Sequence, residues 1–121
     1  MIQYHRALAA VTATTTSDPI PVEEAKKISL MFTRANHSSG SSAFTVTGSV
    51  DGDTFIALNN IITDVTNTNA QTKTRVASVS LSSNTSQLVS LDLEHMSLKA
   101  IKVVVTETTD GTHSAFVLVE F

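Results

Sequence analysis

Four histidines, eleven acidic side chains and a large stock of hydroxyls are the groups through which this 121-residue chain could do chemistry. His37-Ser38 and His113-Ser114 each set a base beside a hydroxyl nucleophile. Adjacent residues on an extended strand point to opposite faces, so neither pair can act as nucleophile and base if it lies in a strand. No Gly-x-Ser-x-Gly elbow is present. His5 stands near the N-terminus and His95 beside Glu94, and no two histidines have the i,i+2 or i,i+4 spacing of a local metal clamp. With polar sequence around His37 and His113, all four read as surface or loop residues. The chain has no Cys, hence no disulfide, no thiolate metal site and no cysteine nucleophile.

The acids are no more suggestive. Asp51-Gly52-Asp53 has the opening of a calcium loop, but the later acidic ligands and the closing Glu are missing. A hairpin turn held by Asx-type hydrogen bonds accounts for it. Glycoside hydrolysis needs two acids across a cleft, and nothing in the sequence brings Glu94 and Glu107 together. Asn36-His37-Ser38 and Asn84-Thr85-Ser86 fit the glycosylation pattern, which acts only in a secreted chain. No catalytic, cofactor-binding or metal-binding residue is nominated, and the expectation is a protein that is not an enzyme and carries no cofactor.

The elements that would position these groups are strands. Residues 43–58 organise the rest. Phe44, Val46, Gly48 and Val50 alternate with Thr45, Thr47 and Ser49, then Asp51-Gly52-Asp53 precedes a second β-like run, 54–58. An Asp-Gly pair between two such runs predicts a tight hairpin with Gly52 at positive φ. Strand patterns recur at 27–34, with Ile28, Leu30 and Phe32 on one face, and at 61–65, 74–81 and 87–93. Two more cover 98–106 and 114–121, separated by a second Asp-Gly turn at Asp110-Gly111. Both faces of 114–121 are largely apolar, which predicts a central strand or one covered on both sides. Residues 2–11 give a further strand or an extended arm. Residues 12–17 read as a Thr-rich spacer, and Asp18-Pro19-Ile20-Pro21 as a stiff extended connection. One helical turn at most fits 22–25. Eight or nine short strands parted by turn signals predict an all-β fold, a two-sheet antiparallel β-sandwich of jelly-roll type. The expected core includes Phe32, Phe44, Val46, Leu91, Ile101, Val103, Val117 and Val119. Residues 22–121 form the sandwich domain, and 1–21 the N-terminal strand or arm.

Composition narrows the partners. One domain of this length buries a core without staples. Net charge is −3 and the eight Lys and Arg are scattered, so no basic stripe could neutralise phosphates and no nucleic-acid partner is expected. The apolar run 7–11 is far too short to cross a bilayer, so no membrane is expected, and only His5 and Arg6 precede it as a poor signal-peptide start. Ser and Thr form roughly a quarter of the chain, above ordinary usage. A hydroxylated, charge-poor surface suits strands facing water or another protein.

Two resemblances follow from particular phrases. Ser49-Val50-Asp51-Gly52-Asp53-Thr54-Phe55, with 100–105 and 115–121 as the last two strands, resembles the discoidin-like, galactose-binding jelly-roll modules. That resemblance implies the fold and, as an alternative function, carbohydrate binding with a glycan partner. The sugar-gripping residues of such modules are scarce here, with no Trp. The phrases Ala25-Lys26-Lys27-Ile28, Phe32-Thr33-Arg34-Ala35-Asn36-His37-Ser38-Ser39-Gly40 and Val65-Thr66-Asn67-Thr68-Asn69-Ala70-Gln71-Thr72 resemble small virion structural proteins of tailed bacteriophages. That resemblance implies a capsid decoration (cement) protein on the capsid exterior, or a neck or tail subunit. The implied partners are the major capsid protein or other virion subunits and further copies in a homo-oligomer. The implied location is the virion, assembled in the host cytoplasm.

Overall fold

A computed structural model of the chain describes residues 1–58, 62–64, 75–91, 97–107 and 110–121. Among them the secondary structure is entirely β: β1 (Ile2–Val11), β2 (Thr15–Thr16), β3 (Ile20–Pro21), β4 (Lys27–Ala35), β5 (Ser42–Ser49), β6 (Ile56–Ala57), β7 (Ile62–Asp64), β8 (Arg75–Val76), β9 (Val79–Leu81), β10 (Thr85–Leu91), β11 (Ala100–Glu107) and β12 (Thr112–Glu120). They form two antiparallel sheets packed as a sandwich. The first has the order β1-β12-β4-β10-β7-β8; the second has β2-β11-β5-β6, with β3 also on β11 and β9 also on β5.

Strict alternation in the long strands builds the core. Ile28, Leu30 and Phe32 of β4, Ala115, Val117 and Val119 of β12, and Val89 and Leu91 of β10 are buried on one inner face. Phe44 and Val46 of β5 with Ile101, Val103 and Val105 of β11 are buried on the other. Every core residue named from the alternation is among them. Phe32 and Phe44 meet across the sandwich as stacked rings, centroids 4.7 Å apart and 15° from parallel. Such pairs add about 0.5–1.5 kcal/mol beyond the area they bury.

Several local expectations need correction. Residues 12–21 are not a spacer and a bare connection but a broken edge strand on β11. Thr15 and Thr16 pair with Val105 and Val104, while Ile20 and Pro21 pair with Ile101 and Ala100. Between them Ser17 accepts the Val103 N–H through Oγ (2.9 Å) and donates its own N–H to the Val103 carbonyl (2.8 Å). An edge is where a strand tolerates the missing donors of Pro19 and Pro21. The central hairpin is wider than a tight turn. β5 ends at Ser49, and the pairing Gly48↔Ile56 leaves 49–55 as the connection. Val50 therefore leaves the apolar face and is 76% exposed. Gly52 does sit at φ 87, in the left-handed region that favours glycine. The expected strand 74–81 breaks instead into β8, in the first sheet, and β9, in the second, so the chain changes sheets between them. The last strand, β12, is central, between β1 and β4. It is covered on one face only, with Leu118 43% exposed on the other. The break at Asn59-Asn60, the polar loop 66–72, the end of the 87–93 strand with the turn after it, and Thr108-Thr109 before the second Asp-Gly turn lie outside the described residues.

β1 pairs with β12 of its own chain, from Ile2↔Glu120 to Val11↔His113, with irregularities on either side of Leu8. Leu8 is buried in the core. Residues 2–21 thus run along an edge of the first sheet and then cross to an edge of the second.

Phe44→Ala is expected to cost about 3–5 kcal/mol in chemical denaturation, because it empties a fully buried ring site and removes the Phe32 stack. A loss below about 1 kcal/mol would overturn this assignment of the inner faces.

Candidate functional site

Three of the buried polar side chains, Arg34, Ser42 and His113, stand at one end of the sandwich. Arg34 continues the inner row of Ile28, Leu30 and Phe32 on β4, so the strand's alternation buries a guanidinium. Its Nη1 donates to the carbonyls of Gly40 (2.8 Å) and Leu81 (3.0 Å), and its Nη2 to those of Ser39 (2.9 Å) and Asp110 (3.0 Å). The Asp110 carboxylate stands 3.7 Å from Nη2. That carboxylate also accepts the Ser38 hydroxyl and the Ser38 N–H. The Ser38 hydroxyl and N–H bonds, the Ser39 N–H and Arg34 hold its carboxyl below the usual carboxylate range. Gly111 completes the clamp. It lies at φ 112, and a Cβ there would stand 3.2 Å from the Ala35 carbonyl and 3.3 Å from Arg34 Nε.

His37 and Asn84 latch the neighbouring loops. The His37 N–H donates to Asn84 Oδ1 (3.1 Å); the ring's Nδ1 is 2.5 Å from the same oxygen and its Nε2 is 3.0 Å from the Ser82 carbonyl. Ser38, His37 and Asp110 therefore share one loop cluster, but not as a triad. Ser38 bonds to the acid and the imidazole bonds elsewhere, so no base is aimed at the hydroxyl.

A second constellation, Ser42 and His113, was not nominated from the sequence. His113 is fully buried on the inner face of β12, in line with Ala115, Val117 and Val119, and not in a surface loop as expected. The Ser42 hydroxyl lies 2.6 Å from His113 Nε2, and His113 Nδ1 lies 3.1 Å from the Val11 carbonyl. In the tautomer that donates from Nδ1 to that carbonyl, Nε2 accepts the Ser42 O–H. This is the relation of a nucleophile to an oriented base. Both side chains have 0% exposure and the Phe44 ring stands edge-on to the imidazole at 6.1 Å. No substrate atom can reach this hydroxyl in the folded chain. Its work is to tie β5 in one sheet to β12 and β1 in the other.

The Asp51 turn closes on itself. Asp51 Oδ1 accepts the Ser49 hydroxyl and the N–H groups of Asp53 and Thr54, each at 2.8 Å, while Ser49 Oγ accepts the Gly52 N–H at 2.8 Å. The Thr54 and Asp53 N–H groups, with Ser49, lower the Asp51 carboxyl from 3.8 to about 2. An oxygen surrounded by donors is a turn anchor and not a calcium ligand. Among the described residues no three His, Cys, Asp or Glu side chains converge. Glu94 and His95 lie outside the described residues, and Glu107 donates its N–H to Thr14 Oγ1. Phe55, the aromatic of the Ser49–Phe55 phrase, has the Lys102 ammonium 4.2 Å over its ring.

No family model matches the chain, and no curated protein matches it. Two solved structures share its fold. The SPBc2 prophage-derived protein YomS superposes with a TM-score of 0.65 at 13% identity, over 99% of this chain and 94% of that one. The PBSX exported protein XepA gives a TM-score of 0.69 at 13% identity, over 98% of this chain but only 37% of the longer protein.

Two outcomes follow. Arg34→Met leaves four carbonyls and the Asp110 carboxylate without their cation, and should cost about 3–5 kcal/mol in urea unfolding. Asp51 has a depressed folded pKa, so its stabilising contribution is complete above about pH 4 and is lost as pH falls toward about 2. The stability gap between the wild type and Asp51→Asn should close across that window; a gap independent of pH would refute the turn-anchor role.

Proposed function

We propose that this chain is a non-enzymatic structural protein of bacteriophage origin, and specifically a capsid decoration protein bound to the outside of a phage head. The observation that carries the reading is the near end-to-end likeness to a prophage-derived protein of similar length, joined to the virion-protein phrases of the sequence. The buried state of Ser42 and His113 and the self-contained bonding of Arg34, Asp110 and Asp51 support a structural role over a catalytic one. The outer face of the second sheet fits the same role, with Thr45 and Thr106 standing beside Val104 and Ala43 as a hydroxylated surface for packing on protein. Carbohydrate binding is the weaker reading, because the Ser49–Phe55 turn is closed by its own hydrogen bonds and Lys102 occupies a face of Phe55.

Mass spectrometry of gradient-purified particles, with the particle-free culture fluid alongside, tests the proposal. The chain should co-purify with intact heads at a fixed ratio to the major capsid protein and be absent from isolated tails. Its recovery with tails alone would reassign it to a neck or tail subunit. Recovery only in the fluid, the outcome parallel to the exported PBSX protein, would refute a virion role.

A further inference from the structure

Of the described large apolar side chains that remain exposed, Met1, Val50 and Ile56 lie at the terminus, in the 49–55 connection and on β6, and the other four share one face. Ile2 (63%), Tyr4 (62%), Leu88 (48%) and Leu118 (43%) all stand on the outer face of the first sheet. The registers fix their rows. Arg6, Phe116, Met31 and Leu88 lie side by side across β1, β12, β4 and β10; the next row is Tyr4, Leu118, Ser29 and Ser90; the third begins Ile2, Glu120, Lys27. Tyr4 stacks on Phe116 at 6.1 Å and the Arg6 guanidinium lies 5.7 Å over the same ring. The result is an apolar field bordered by Arg6 on one side and by Glu120 and Lys27 on the other, of the kind that marks an interaction surface.

We propose that this face packs against the same face of a second copy of the chain. Charge placement selects that occupant. Arg6 lies two residues to one side of the Tyr4 row, and Glu120, with Lys27 as its cross-strand neighbour, lies two residues to the other side. Among the described residues neither makes an ion pair within the chain. A two-fold axis along the row Tyr4–Leu118–Ser29 turns the field onto itself. Tyr4 then meets Tyr4 of the copy, Leu118 meets Leu118, and the Arg6–Phe116–Met31 row covers the Ile2–Glu120–Lys27 row. Arg6 comes within one strand spacing, about 4.8 Å, of a position over Glu120 of the copy, and the same pair forms twice by symmetry. Such an isologous contact needs one self-complementary patch, and sheets packed face to face interdigitate their side chains at a separation of about 10 Å. The contact stands apart from the role proposed above, since it forms in solution without any particle.

Sedimentation equilibrium of the full chain over a concentration series tests it, with circular dichroism as the check on folding. The wild type should associate. Leu118→Lys should be monomeric, and Tyr4→Lys, on the exposed edge strand, gives the same reading if the first variant does not fold. Arg6→Glu and Glu120→Arg should each weaken association about ten-fold or more by setting like charges together, and the double reversal should recover most of that loss. A wild type that stays monomeric would overturn the proposal. So would association indifferent to Leu118→Lys, or a double reversal that recovers nothing.

Discussion

A guanidinium with no exposed surface governs one end of this sandwich. Arg34 reaches the carbonyls of 39–40, Leu81 and Asp110, so three connections widely separated in sequence converge on one side chain. Desolvating an ion costs several kcal/mol, and only a full set of well-placed acceptors with a counter-charge offsets it. Here the acceptors are backbone carbonyls, which cannot be supplied unless the loops adopt their native paths. The charge is thus a condition on the fold as much as a contribution to it. Nε is buried without a partner, a residual cost beside the close approach of Gly111.

The same economy runs through the other polar groups that look reactive. Ser42 and His113 have the distance of a dyad and the burial of a core pair, and burial decides between them. Asp51 has a depressed carboxyl because its own turn surrounds it with donors. Reactive residue types are consumed in holding connections and crossing between the sheets, and the outer faces are left for contact with other molecules.

Much of the fold could be read from alternation. β4, β5, β10, β11 and β12 are long enough for the two-residue period to show, and their inner positions hold the core. What escaped was of two kinds. Short elements such as β2 and β3 exist only because a long strand offers them an edge, and two residues carry no period of their own. Polar contacts such as Ser42 with His113, 71 residues apart, and Arg34 with Asp110, 76 apart, depend on which strands become neighbours across the fold. A local signal for both was nevertheless present. Arg34 keeps the parity of Ile28, Leu30 and Phe32, and His113 that of Ala115, Val117 and Val119. A polar residue on the core-facing beat of a strand predicts a buried anchor, and the polar loops that flank these two mask that signal.

The pairing of β1 with β12 joins the first described strand to the last, with the Phe121 N–H on the Met1 carbonyl at 2.8 Å. It sets an order of events in the cell. Chains emerge from the ribosome at about 5–20 residues per second, so β1 waits until Thr112–Glu120 has been made before its partner exists. Until then β1 has no sheet to join, and the core site filled by Leu8 stays open. The first sheet therefore completes only once β12 is present, in a search slowed by the closure of a loop that spans from β1 to β12.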